Sequence, residues 1–134
     1  MSDFDFDVIF DNLPFLLEGM KTTLLLTALA MVGGVVLGTL LALVRLSSMK
    51  TLAFIAASYV NFFRSLPLIL VIFWFYFLVP LVLGRPVGGF YSVLVAFTLF
   101  EAAYYSEIIR AGITSVRSGQ AAAARALGMT YGQS

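Results

Sequence analysis

Residues 22–43 read TTLLLTALAMVGGVVLGTLLAL, a run without a single charged side chain. A helix of about 20 apolar residues crosses the roughly 30 Å hydrocarbon core of a bilayer, so this run predicts a first membrane span. Small residues recur at every fourth position along it and share one helix face, where they allow close approach of a second helix. These residues are Ala30, Gly34, Gly38 and Ala42. The alternative is that the glycines reflect the ordinary tolerance of membrane helices for this residue.

A second apolar stretch runs from Thr51 to Leu83 and is too long for one simple span. The sequence Arg64-Ser65-Leu66-Pro67 divides it. Proline suits the first turn of a helix, where its missing N–H costs nothing. We therefore predict a helix on the cytoplasmic side over 52–63 and a second span over 67–83. The alternative is one long tilted helix that crosses the membrane and projects beyond it.

Turn residues at 84–89 precede a third predicted span over 91–109. At the other end of the chain, residues 1–21 alternate acidic side chains with phenylalanines and leucines at roughly helical spacing. This pattern is typical of a segment that lies on a membrane surface. An acidic tail without fixed structure is the alternative.

Lysine and arginine residues are distributed unevenly between the two sides of the predicted spans. One side carries Arg45, Lys50, Arg64, Arg110, Arg117 and Arg125, and the other carries Lys21 and Arg85. Positive residues concentrate on the cytoplasmic side of membrane proteins. The N-terminus is therefore expected outside the cytoplasm.

The composition also indicates a membrane protein. Of 134 residues, 61% are hydrophobic and 11% are charged, against about 25% charged in globular domains. The net charge of +1 indicates no nucleic-acid partner, and the absence of cysteine and histidine removes thiol catalysis and the commonest zinc ligands. We predict an all-α polytopic transmembrane bundle in the lipid bilayer, with no catalytic residue, metal or cofactor.

Two acidic residues lie within the third span. Glu107 precedes Arg110 by three residues, a spacing at which helical side chains meet, which favours a structural ion pair over a place on a pathway. Glu101 lies mid-span with no charged residue one turn away, and an acid at that depth is costly. With its neighbours Tyr104 and Tyr105, Glu101 is the candidate substrate pathway. A buried acid held by hydrogen bonds is the alternative.

The segment 114–130 contains a short alanine-rich helix. Ser118 is a candidate N-cap, and Gly128 is suited to the left-handed conformation that ends helices. Physics alone leaves a docking element and a plain surface turn equally open.

The sequence GQAAAARALG at 119–128 resembles the cytoplasmic loop of binding-protein-dependent ABC importer permeases. In that pattern Glu-Ala-Ala is followed by three residues and Gly; Ala123, Ala124 and Gly128 match, while Ala122 replaces the acid. Further resemblance lies in LPFLLEGMKTTL, FRSLPLILVIFWFYFLVP and EAAYYSEIIRAGI, which begin at positions 13, 63 and 101. Together these stretches are similar to polar amino acid permeases, most closely to glutamate/aspartate permease subunits.

The resemblance implies a permease subunit in the bacterial inner membrane, N-terminus periplasmic, with three of the family's five spans present. It implies three partners: an ABC ATPase subunit that hydrolyses ATP, a second permease subunit, and a periplasmic amino-acid-binding protein. The loop residues that would couple to the ATPase are Gly119, Gln120, Ala123, Ala124, Arg125 and Gly128. The sequence stops at Ser134, before the family's last two spans, as in a truncated permease. A small structural or regulatory membrane subunit that does not transport is the alternative function.

Overall fold

A computed structural model describes residues 7–130 and 132–133, and all regular structure within them is helical. The helices are α1 (Asp7–Asp11), α2 (Leu13–Leu46), α3 (Lys50–Ser65), α4 (Leu68–Phe73), a π-helical segment (Trp74–Leu78), α5 (Val79–Leu83), α6 (Gly89–Ser115) and α7 (Ser118–Ala126). The predicted all-α class is confirmed.

The long helix α2 starts nine residues before the predicted span and continues without a break through Lys21. The threonines at 22 and 23 do not cap a new helix, because their hydroxyls donate to the carbonyls of Glu18 and Gly19 one turn earlier. One helix thus runs across the predicted boundary between a surface segment over 1–21 and a span over 22–43, and the point at which it enters the membrane stays a prediction. Residues 1–6 of that segment lie outside the described residues.

The chain bends sharply at Leu66 and Pro67. Leu66 is extended (φ −101°, ψ 146°), as expected for a residue before proline, and its conformation ends α3. The direction of the helical stretch changes by 104° between 50–65 and 68–83. A single continuous helix over this region, the alternative considered from the sequence, is therefore wrong.

The helical stretch after the bend contains one wide turn. The N–H of Val79 donates to the carbonyl of Trp74, five residues earlier, and Pro80 follows directly. Proline has no N–H and crowds the carbonyl four residues before it, which accounts for a wider turn at this place. Gly84, at φ 64°, then ends α5 in the left-handed conformation.

Helix α6 packs against α2 on one face and against α3 and α4 on another. It runs parallel to α2, since Gly33 lies beside Thr98 and Gly38 lies beside Tyr105. Val71 of α4 packs with Ala96 and Phe100 of α6 in the hydrophobic core. By length and composition α2 and α6 are each able to cross a membrane, and the bent stretch from α3 to α5 is a third candidate.

Candidate functional site

The seam between α2 and α6 is built on the four small residues predicted to share one face. Ala30, Gly34, Gly38 and Ala42 are the buried residues of α2. A Cβ placed on Gly38 would lie 2.7 Å from the Cβ of Tyr105 and 2.9 Å from the carbonyl oxygen of Ala102. Because these distances are below van der Waals contact, the two backbones approach this closely only with glycine at position 38.

A cavity of about 190 Å³ lies beside the seam, near the middle of α2. Glu101 and Tyr105 of α6 line it together with Phe97, and α2 contributes Thr27, Ala30 and Met31. Within the described part of the chain, no side chain or N–H donates to the half-buried Glu101 carboxylate. The cavity therefore presents an acceptor group that is free to bind a cationic group or water.

Tyr104 does not belong to this cavity. Its ring lies on the other side of α6, 5.0 Å from the ring of Phe100 and 5.6 Å below the guanidinium of Arg64. The structure thus brings Glu101 and Tyr105 together and separates Tyr104 from them.

Glu107 is the centre of a second polar group, where α2, α3 and α6 meet. Its carboxylate accepts from Arg110 on the same helix, as the sequence spacing predicted. Arg45 of α2 also donates to Glu107 at 2.7 Å, and a guanidinium nitrogen of Arg64 on α3 lies 3.6 Å from the same oxygen. We call these four residues (Arg45, Arg64, Glu107 and Arg110) the arginine cluster. In this cluster, arginine side chains from three helices surround one carboxylate.

Sequence reasoning found the Glu107–Arg110 pair and missed the other two members. Arg45 and Glu107 are 62 residues apart, and local spacing carries no information about such a contact. The available signal was the placement of Arg45 and Arg64 on the same predicted side as Arg110.

The alanine-rich helix α7 stands apart from the packed helices, and none of its nine residues is buried. Gly119, Gln120, Ala123 and Arg125 are exposed, and Ala124 is half-buried. The predicted N-cap is wrong by one position: Arg117 precedes the helix, and Ser118 is its first residue.

The C-terminal end of α7 forms a Schellman motif. The N–H of Gly128 donates to the carbonyl of Arg125, and the N–H of Met129 donates to the carbonyl of Ala124. Gly128 has φ 82°, so the predicted left-handed conformation is confirmed. The motif satisfies two carbonyls at the end of the helix and turns the chain away from it.

Residues 34–134 match the family described as binding-protein-dependent transport system inner membrane component. The whole chain is 50% identical to the glutamate/aspartate import permease protein GltK of Escherichia coli O6:H1, of which it covers 63%. It is 40% identical over 96% of its length to the arginine transport system permease protein ArtQ of Bacillus subtilis, covering 59% of that protein.

The fold is also similar to a solved structure. A crystal structure of an amino acid ABC transporter with histidines superimposes with a TM-score of 0.86 and 36% identity, over 98% of this chain and 61% of that one. The chain spans less than two thirds of the length of each of these relatives.

Proposed function

The chain belongs to the family of binding-protein-dependent transport system inner membrane components, and on that basis we propose that it is a transmembrane permease subunit of an ATP-driven ABC importer. The imported compounds are polar amino acids. The observation that carries this proposal is the 50% identity, along the whole chain, to a glutamate/aspartate import permease. We propose glutamate and aspartate as the substrates for the same reason.

The proposed orientation places the N-terminus in the periplasm and the arginine cluster at the cytoplasmic face. Two observations support it. Because α2 and α6 run parallel, their C-terminal ends lie on the same side of the bundle, and Arg45, Arg64 and Arg110 gather there around Glu107. Arg85 lies in the turn before α6, at the opposite end. This asymmetry agrees with the preference of positive residues for the cytoplasmic side.

The proposed substrate path includes the cavity lined by Glu101 and Tyr105. A carboxylate that is only half-buried and has no partner among the described residues is expensive in a bilayer unless water or a ligand solvates it. Every amino acid carries an α-ammonium group that can donate to such a carboxylate. Tyr104 lies outside this cavity and contacts Arg64, and its place on the path stays a prediction.

The proposed coupling element is α7 with its Schellman turn. The helix is about 14 Å long at 1.5 Å per residue, carries mostly small side chains and has no buried residue. A short exposed helix with alanine side chains fits a groove on another protein, since its backbone approaches the partner closely. The partner in this proposal is the ABC ATPase subunit, which hydrolyses ATP. A second permease subunit completes the path, and a periplasmic binding protein delivers the amino acid.

Uptake in cells tests the proposed function. Deletion of the native gene should abolish the high-affinity accumulation of radiolabelled glutamate and aspartate, and its return on a plasmid should restore both. Labelled arginine and leucine serve as comparison substrates. Loss of arginine uptake with normal glutamate uptake would contradict the proposed substrate, and normal uptake of all of them would contradict the transport function.

A further inference from the structure

The arginine cluster contains more positive charge than its carboxylate neutralises. Three guanidinium groups face the single carboxylate of Glu107, which leaves a surplus of two positive charges. Each guanidinium has five N–H donors, and one carboxylate cannot accept from all of them. The cluster therefore has unused donors and an unbalanced field at the meeting point of three helices.

The surplus charge is accessible. The side chain of Arg45 is only 11% exposed and belongs to the interior of the cluster, whereas those of Arg64 and Arg110 are 38% and 33% exposed. The accessible donors thus come from the ends of α3 and α6. Arginine prefers oxyanions that accept two parallel hydrogen bonds, such as phosphate and carboxylate.

Large apolar side chains are exposed on the surface of the bundle at the level of the cluster: Leu43 and Leu46 of α2 and Ile108 of α6. Residues one or two positions apart on a helix point in different directions, so these side chains belong to the neighbouring surface and not to the cluster itself. A ligand with an anionic head and a long apolar part matches this combination of charged donors and an apolar outer surface. A free anion such as inorganic phosphate would make no use of the apolar side chains.

The depth of the cluster in the bundle fits a membrane boundary. Helix α6 begins at Gly89 and reaches Glu107 after 18 residues, or about 27 Å of helix. The hydrocarbon core of a bilayer is about 30 Å thick, so a helix that starts at one surface brings Glu107 to the other. Phosphate groups of lipids lie at this level.

From these observations we infer that the arginine cluster binds the phosphate headgroup of an anionic phospholipid, with Arg64 and Arg110 as its donors. The acyl chains of this lipid lie along the exposed apolar side chains near the ends of α2 and α6. Arg45 holds Glu107 in place and thereby positions the other two guanidinium groups. The inference adds a lipid site to the proposed transport function and does not depend on which amino acid is carried.

Lipid retention tests the site. The transporter, expressed from its native genes, is reconstituted in vesicles of equal parts phosphatidylglycerol and phosphatidylcholine and extracted in mild detergent. Native mass spectrometry then counts the phospholipids that remain bound. Each basic residue near an anionic surface strengthens lipid binding about fivefold, so Arg64→Gln should lower phosphatidylglycerol occupancy by about that factor. Arg64→Lys should retain part of it, since it keeps the charge and loses the paired donors.

Two controls distinguish a lipid site from a general loss of positive charge and from a site for free anions. Arg85→Gln, at the opposite end of the bundle, should leave the occupancy unchanged. Inorganic phosphate should displace the lipid no better than sodium chloride of equal ionic strength. Wild-type occupancy in Arg64→Gln would overturn the inference, and so would displacement specific to phosphate. Reduced co-purification of a partner subunit with unchanged lipid would show that the cluster contacts a protein instead.

Discussion

The guanidinium of Arg45 donates to the carboxylate of Glu107 at 2.7 Å and joins the end of α2 to α6 across 62 residues of sequence. The two side chains are 11% and 24% exposed, so water only partly competes for the bond. In such a setting a hydrogen bond between charged groups stabilises more than one on a free surface. This contact holds the parallel arrangement of the two long helices at one end, as the glycine seam does along their middle.

The interaction between Arg45 and Glu107 should appear as a coupling energy in a double-mutant cycle. Arg45→Gln is expected to lower the free energy of unfolding by about 1–3 kcal/mol, because Glu107 loses its least exposed partner. A double-mutant cycle with Glu107→Gln, followed by thermal unfolding in detergent, isolates the pairwise term. Arg125→Gln is the matched control, since that side chain donates to a carbonyl of its own helix. If the losses of unfolding free energy in the two single variants add up to the loss in the double variant, the interaction between Arg45 and Glu107 contributes nothing to stability.

The close packing of α2 against α6 predicts that alanine substitution changes the stability of the protein at one glycine of α2 and not at another. Gly38→Ala should destabilise the protein by about 1–3 kcal/mol, because the new methyl group meets Tyr105 and the Ala102 carbonyl. Gly19→Ala should be neutral or slightly stabilising, because its Cβ would meet nothing within 4 Å and alanine favours a helix. Thermal unfolding of the two variants side by side checks this. Equal midpoints would mean that α2 and α6 are not packed at Gly38.

The orientation is testable because the native chain has no cysteine. A single Gly88→Cys should react with an impermeant maleimide added outside spheroplasts, since it lies before α6 at the end opposite the arginine cluster. Ser48→Cys, between α2 and α3, should react only after the membrane is opened. The reversed labelling pattern would invert the proposed topology.

Removal of the charge at Glu101 should impair transport and leave insertion intact. Glu101→Gln keeps the size of the side chain in the cavity and weakens its hydrogen bond to a cationic group. We expect roughly a tenfold lower kcat/KM for uptake, the equivalent of about 1.4 kcal/mol. Glu18→Gln, on an exposed part of α2, is the control at matched protein levels. Uptake by Glu101→Gln equal to that control would remove the cavity from the path.

Local patterns in the sequence predicted several features of the helices, because the faces, bends and ends of helices depend on residues that are close together in the chain. The four-residue spacing of Ala30, Gly34, Gly38 and Ala42 defined the face of α2 that is buried, and Pro67 marked the place where the chain bends. Gly128 was recognisable because few residues other than glycine adopt a positive φ.

Other features depend on which helix lies opposite, and no local pattern contains that information. Consecutive residues of a helix point about 100° apart, so Tyr104 and Tyr105 face different neighbours although both adjoin the same predicted path. The continuity of α2 from Leu13 is a different case. The uncharged run over 22–43 defined a predicted span, but helix formation continues through charged and polar residues unless a breaker intervenes, so the helix is longer than that run.

Reconstituted transport tests the central claim, that this chain couples an ATPase to amino acid import. Proteoliposomes that contain this subunit together with the proposed partner permease and ATPase subunit are loaded with ATP and given the proposed binding protein with radiolabelled glutamate. ATP hydrolysis and glutamate accumulation are measured in the same vesicles. The wild type should accumulate glutamate only with binding protein present. Gly128→Asp should lose both activities while inserting normally, because its side chain strains a backbone at φ 82° and alters the end of α7. Gly112→Ala, whose Cβ would meet nothing within 4 Å, is the control and should behave as wild type. Glutamate accumulation by Gly128→Asp at the wild-type rate, or by vesicles that lack this subunit, would contradict the account.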